Sequence, residues 1–101
     1  MFSGGSYDEV ARWLRNFLAS HAKRVDPRVE VELDTDDARA GRSYGARLRL
    51  GDRVTDVLEF DFREVADNRG GLAWCAARAE QARTQARELR TAQGPLDARA
   101  R

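Results

Sequence analysis

His21, Cys75 and seventeen carboxylates are the groups in this 101-residue chain that could carry acid, base, nucleophilic or metal chemistry. His21 could act as a general base and Cys75 as a nucleophile, but a thiol becomes reactive only when an imidazole or another cation lowers its pKa. Both fall on apolar stripes of predicted helices. There the imidazole reads as a boundary residue and the thiol as a small hydrophobe. One histidine and one cysteine cannot supply a structural zinc site. Asp34, Asp36 and Asp37 resemble the start of a calcium loop, but the chain lacks its central glycine and the glutamate at the twelfth position. Gly70-Gly71 could cradle a phosphate at a helix N-terminus, yet no lysine follows and Asp67 repels an anion. Glu59 and Asp61 are paired carboxylates on an open strand face, with no predicted cleft to raise either pKa. On this reading the chain has no catalytic residue, no cofactor and no metal, and is not an enzyme.

Three stretches that alternate apolar and charged residues position these groups: Val29-Glu30-Val31-Glu32-Leu33, Ala46-Arg47-Leu48-Arg49-Leu50 and Leu58-Glu59-Phe60-Asp61-Phe62. A period of two puts the apolar residues on one face of a sheet and the charges on the other. The charge sign alternates from acidic to basic to acidic, so the basic strand belongs in the centre. Predicted strands cover 28–34, 42–50 and 54–63. Parity calls for a three-residue turn, Gly51-Asp52-Arg53, with Leu50 and Val54 both inward.

Before the strands, Ser6 and Glu9 have the spacing of a capping box. The helix they open carries a stripe of Val10, Trp13, Leu14, Phe17, Leu18, His21 and Val25, and Pro27 ends it. Asp67 to Gly71 leads into a second helix with a stripe of Leu72, Cys75, Ala76, Ala79, Ala82, Ala86 and Leu89. Gly94-Pro95 marks its stop. The fold class is therefore α+β: helix, three-stranded antiparallel meander in the order 1-2-3, helix, with both helices on one face of the sheet. Residues 1–5 are expected to be a flexible N-terminus, 6–93 a single domain and 94–101 a flexible tail.

Lys+Arg 18 against Asp+Glu 17 gives a net charge of +1, so no long-range field marks the whole molecule as a nucleic-acid or membrane binder. A lone cysteine forms no intrachain disulfide, and no leader or apolar span is visible, so the expected location is cytoplasmic. Trp74 lies on the shoulder of its helix stripe beside Ala77, Arg78 and Gln81. These four are the candidate contacts of a small protein-interaction domain that binds another protein or pairs with itself as a homodimer.

Nucleic acid is the alternative partner. Arg39-Ala40-Gly41-Arg42 in the first strand loop and Asn68-Arg69-Gly70-Gly71 before the last helix are the segments that would carry it. By its order of helix, three strands and helix alone, the span 6–90 resembles the double-stranded RNA-binding domain, in which the first strand loop and the start of the last helix face the duplex. The resemblance implies that Arg39, Arg42, Asn68, Arg69, Gly70 and Gly71 face a duplex. The chain lacks that family's Gly-Pro-x-His and its lysine cluster, while Arg78, Arg83, Arg87 and Arg90 add a basic stripe on the final helix.

Overall fold

The computed structural model describes residues 5–36 and 38–99, with side chains as far as 91. Residues 1–4 of the expected flexible N-terminus, Asp37 of the acidic loop, and residues 100–101 lie outside the described residues. The elements are α1 (Tyr7–Val25), β1 (Glu30–Asp34), β2 (Ser43–Leu50), β3 (Arg53–Val54), β4 (Leu58–Asp61), α2 (Phe62–Asn68) and α3 (Leu72–Arg99).

The capping box opens α1 as its spacing requires. Ser6 Oγ accepts from the Glu9 amide at 3.1 Å, and the Glu9 carboxylate accepts from the Ser6 amide at 3.0 Å. Val10, Leu14, Leu18 and Ala22 are buried along one side of the helix. They meet Tyr44, Ala46, Leu48 and Leu50 from β2, Phe60 from β4, Val65 and Ala66 from α2, and Ala82, Ala86 and Leu89 from α3. The sheet is thus roofed on its apolar face by α1 and α3. Contacts of Trp13 with Trp74, His21 with Arg83, and Val25 with Arg90 show the two helices side by side and running in the same direction.

As the charge alternation demands, β2 is central and antiparallel to β1 on one side and to β3 and β4 on the other. The third strand departs from expectation. Leu50 pairs with Arg53, so the turn is the two-residue Gly51-Asp52. Gly51 has φ +63°, which is the positive angle that a two-residue hairpin needs at its first central position. This shorter turn puts Val54 opposite Arg49 and 42% exposed, where inward burial was expected.

Parity is restored by one inserted residue. The Thr55 amide donates to Leu48 O at 3.0 Å, while Leu58 pairs with Ala46. Arg47 alone therefore stands opposite both Asp56 and Val57, a β-bulge. Beyond it Phe60 turns inward with 4% exposure. At the bulge, Thr55 Oγ1 replaces a ladder carbonyl by accepting from the Leu48 amide at 3.1 Å.

Two helix boundaries also differ from the sequence reading. The third strand stops at Asp61, whose carboxylate accepts from the Glu64 amide at 3.0 Å and caps the additional helix α2. Phe62 is consequently the first residue of α2, though it still packs on the core. On α3, Ala79, Ala82, Ala86 and Leu89 are buried as expected, but Ala76 is exposed and Leu72 is 89% exposed. Where the sequence sets a stop and a tail, α3 runs through Gly94-Pro95 to Arg99. A proline forfeits a ladder donor and crowds the carbonyl one turn back, and glycine is a weak helix former, so nothing in the local sequence explains the continuation.

Three arginines of the charged face are held in ion pairs. Glu32 accepts from Arg49 at 2.5 Å and from Arg47 at 3.3 Å. In the next row Asp34, Gly45 and Glu59 lie opposite one another across three strands. Gly45 leaves a gap there that the Arg39 guanidinium fills: a Cβ on Gly45 would stand 2.8 Å from Arg39 Cζ. Arg39 forks onto both Glu59 oxygens at 2.6 and 3.0 Å and reaches Asp34 at 3.3 Å. Its hydrogen bonds hold the Glu59 carboxyl below the ordinary range, against burial and the like charge of Asp34, which both push it up.

Replacing Thr55 by valine leaves the buried Leu48 amide without an acceptor, so Thr55→Val should lower unfolding free energy by about 1–3 kcal/mol in urea titration. Arg39→Ala should lower the melting temperature, and Gly45→Ala should do the same by displacing the guanidinium. A carboxyl held low in the folded state contributes stability above its unfolded pKa and loses it as pH falls. The gap between wild type and Arg39→Ala should therefore be full at neutral pH, close below about pH 4, and narrow in molar salt.

Candidate nucleic-acid interface

The two segments singled out for nucleic acid meet at the first turn of α1. Tyr7 on that turn donates its hydroxyl to Ser43 O at 2.5 Å, beside Arg42. A Cβ on Gly5 would stand 3.0 Å from an Arg69 guanidinium nitrogen. Tyr7, Tyr44 and Phe62 fill the space beneath, with Tyr7 and Tyr44 stacked at 4.6 Å. The structure thus brings Arg42 and Arg69 to one end of the molecule.

Their availability differs from expectation. Arg39 is folded back onto Glu59 and Asp34, so its charge is already neutralised within the sheet. Arg42 is exposed, and its backbone carbonyl accepts from the Phe62 amide at 2.8 Å. The Asn68 side chain donates back to Glu64 O at 2.8 Å, and the Gly71 amide donates to Asn68 O at 2.8 Å. Gly70 and Gly71 therefore form the tight link between α2 and α3, and the Gly71 amide is turned inward rather than toward an anion. In the acidic loop, Asp34 and Asp36 each accept a backbone amide, from Asp36 at 3.0 Å and from Arg39 at 3.2 Å. Among the described residues no three His, Cys, Asp or Glu side chains gather as a metal site.

The seam between α1 and α3 holds a feature that the sequence did not reveal. Trp74, Trp13, Phe17 and His21 form a row of rings with successive centroid separations of 6.3, 4.9 and 4.8 Å. All four are half-buried. Arg78 lies over Trp74 at 5.8 Å, and the indole N–H of Trp74 donates to Glu64 at 3.0 Å. At the other end an Arg83 nitrogen lies 3.4 Å from His21 Nδ1. Burial, with Arg24 and Arg83 adding to it, pushes the His21 pKa down, so the ring is neutral at physiological pH. A guanidinium can only donate, so a hydrogen bond here requires Nδ1 to accept and leaves the imidazole proton on Nε2. Cys75 belongs to a different neighbourhood: its thiol donates to Arg69 O at 3.3 Å, about 12 Å along α3 from Arg83.

Of the other residues named beside Trp74, Ala77 is exposed and Gln81 is half-buried. The i, i+4 spacing of Trp13, Phe17 and His21 was legible in the sequence. Their alignment with Trp74 depends on the offset between two helices packed in parallel, which no local pattern encodes.

Charge is segregated between the two layers. The sheet layer, 29–61, carries nine acids and five cations, while α1 together with α3 as far as 91 carries eight cations and four acids. Two of those four acids, Asp8 and Glu9, sit in the first turn of α1. A third, Glu80, lies between Arg83 and Arg87 at 2.7 and 3.0 Å. A net charge near zero therefore conceals an acidic layer and a basic one.

No protein-family model matches the chain, and no solved structure matches it. Among curated proteins it is similar to the endoribonuclease YbeY of Delftia acidovorans (strain DSM 14801 / SPH-1), with 33% identity over 85 residues. That alignment covers 83% of this chain and 51% of the relative, so the chain spans about half the length of the curated relative it matches. The similarity overturns the reading of a non-catalytic, homodimeric protein-interaction domain built on Trp74, Ala77, Arg78 and Gln81, and with it the reading that the chain is not an enzyme. A tryptophan beside arginines suits a nucleobase as well as it suits a protein surface. Among the described residues no helix is long and apolar enough to cross a membrane.

Proposed function

We propose that this chain acts on RNA as a protein of the endoribonuclease kind. The observation that carries the reading is the 85-residue similarity to a protein named as an endoribonuclease, which extends over most of this chain. Two physical features support it. The helix layer concentrates cations that can neutralise phosphates, and it does so beside rings that can stack on bases. The paired charges of the sheet face leave that face little attraction for a polyanion. Of the loop residues first weighed for RNA, Arg42 extends into solvent and Arg39 does not, so the loop offers one cation rather than two. Cytoplasm, where RNA is plentiful and a lone Cys75 stays reduced, is the compartment that fits.

The test is binding and cleavage of a fluorescently end-labelled RNA that contains both a hairpin and a single-stranded run. Anisotropy should report binding at low salt. With three or four phosphate contacts, affinity should fall roughly twenty- to fiftyfold between 50 and 200 mM salt. Denaturing gels, run with and without added divalent cations, should show internal cleavage products. An RNA that neither binds at low salt nor is cut would sink the reading.

A further inference from the structure

We propose that the outer surface of the α1–α3 layer, along Trp74, Trp13, Phe17 and His21, docks unpaired nucleotides of an RNA strand. Bases lie against the rings, and phosphates lie against Arg24, Arg83 and Arg87. The inference rests on the RNA reading above and adds to it the location of the contact and the form of RNA that fits.

The geometry selects unpaired nucleotides. A ring can engage a base only through the base's flat face, and in a duplex that face is hidden in the stack. Here the ring row runs about 12 Å along α1 from Trp13 to His21, the reach of a short run of nucleotides rather than of a groove-spanning duplex contact. Trp13, Phe17 and Trp74 pack on the core and are half-buried; Trp13 and Phe17 stack on each other and Arg78 covers one face of Trp74, so a base meets the side of each ring that remains in solvent. Rings fixed in this way lose little freedom when a base stacks on them.

Charge complementarity selects a polyanion. Arg24 follows His21 by three residues on the same side of α1, and its charge acts on the imidazole. Arg83 touches that imidazole from α3. Arg83 and Arg87 share Glu80, so the three side chains together keep one net positive charge beside the row. His21, neutral and carrying its proton on Nε2, offers a donor for a phosphate oxygen or a base carbonyl.

The molecule carries its own reporter for this proposal. Its two tryptophans, Trp13 and Trp74, both belong to the ring row, so intrinsic tryptophan emission reads this surface and no other. Titrating an oligouridylate of about ten nucleotides should quench the emission in step with anisotropy of the labelled strand, whereas a blunt duplex of equal length should leave emission unchanged. Arg24→Ala, at an exposed position, should weaken oligouridylate binding about fivefold or more, and Trp13→Ala should do likewise while circular dichroism confirms its fold. Arg53→Ala, an arginine of the sheet layer, should bind as wild type does. Single-stranded RNA that binds without changing tryptophan emission, or binding lost in Arg42→Ala and untouched in Arg24→Ala, would overturn the proposal and leave the RNA reading standing. Absence of any RNA binding would end both.

Discussion

A single extra residue opposite Arg47 decides which way the last strand faces. β2 has an apolar side and a charged side, and both neighbours must match it. The hairpin at Gly51-Asp52 is too short by one residue to do this: continued in the same register, it would turn Leu58 and Phe60 to solvent. The bulge at Asp56 and Val57 adds that residue, and Thr55 closes the ladder bond that the bulge opens. Phe60 then joins Tyr44, Ala46 and Leu14 in the core, and α2 starts directly from the strand end. The placement of α2, and of α3 beyond it, follows from a strand that reaches Asp61 with the correct face inward.

The charged side of that sheet has a consequence for the opposite side of the molecule. Cross-strand attraction of Arg47 and Arg49 for Glu32, and of Arg39 for Glu59 and Asp34, occupies three arginines where they stand. Isolated surface pairs contribute little, but the Arg39 fork is bidentate, seated over a glycine and mostly shielded, so it holds one geometry. The acids of the sheet layer still outnumber its cations. A chain of nearly zero net charge must then carry its excess cations elsewhere, and α1 and α3 are where they lie. A whole-chain charge misses this because it averages over two layers that face opposite ways.

How much of this was legible depended on the range of the interaction. The capping box at Ser6, the buried stripe of α1 and the central position of β2 follow from spacings of a few residues or from the sign of neighbouring charges, and all three hold. The bulge did not show, because a three-residue turn and a two-residue turn with one inserted residue preserve the same inward face for Phe60. α2 did not show, because Phe62 continues the strand's alternation although Asp61 is already its cap. Of the residues first weighed for nucleic acid, the ion pairing of Arg39 did not show for a similar reason. Its partners, Asp34 and Glu59, lie on two different strands and meet only across Gly45.

The alanine stripe of α3 links packing to the surface. Ala79, Ala82 and Ala86 present almost no side chain to α1 and β2, so α3 lies close to both. Large rings cannot fit into a seam of that depth. Trp13, Phe17 and His21 therefore sit at its rim, where Trp74 from the first turn of α3 meets them. In a seam lined by leucines the same rings would be displaced outward and separated. Small residues inside thus place aromatic residues in an ordered row outside, and the arginines one turn away give that row its charge. The packing of the core and the chemistry of the surface follow from the same choice of side chains on one helix.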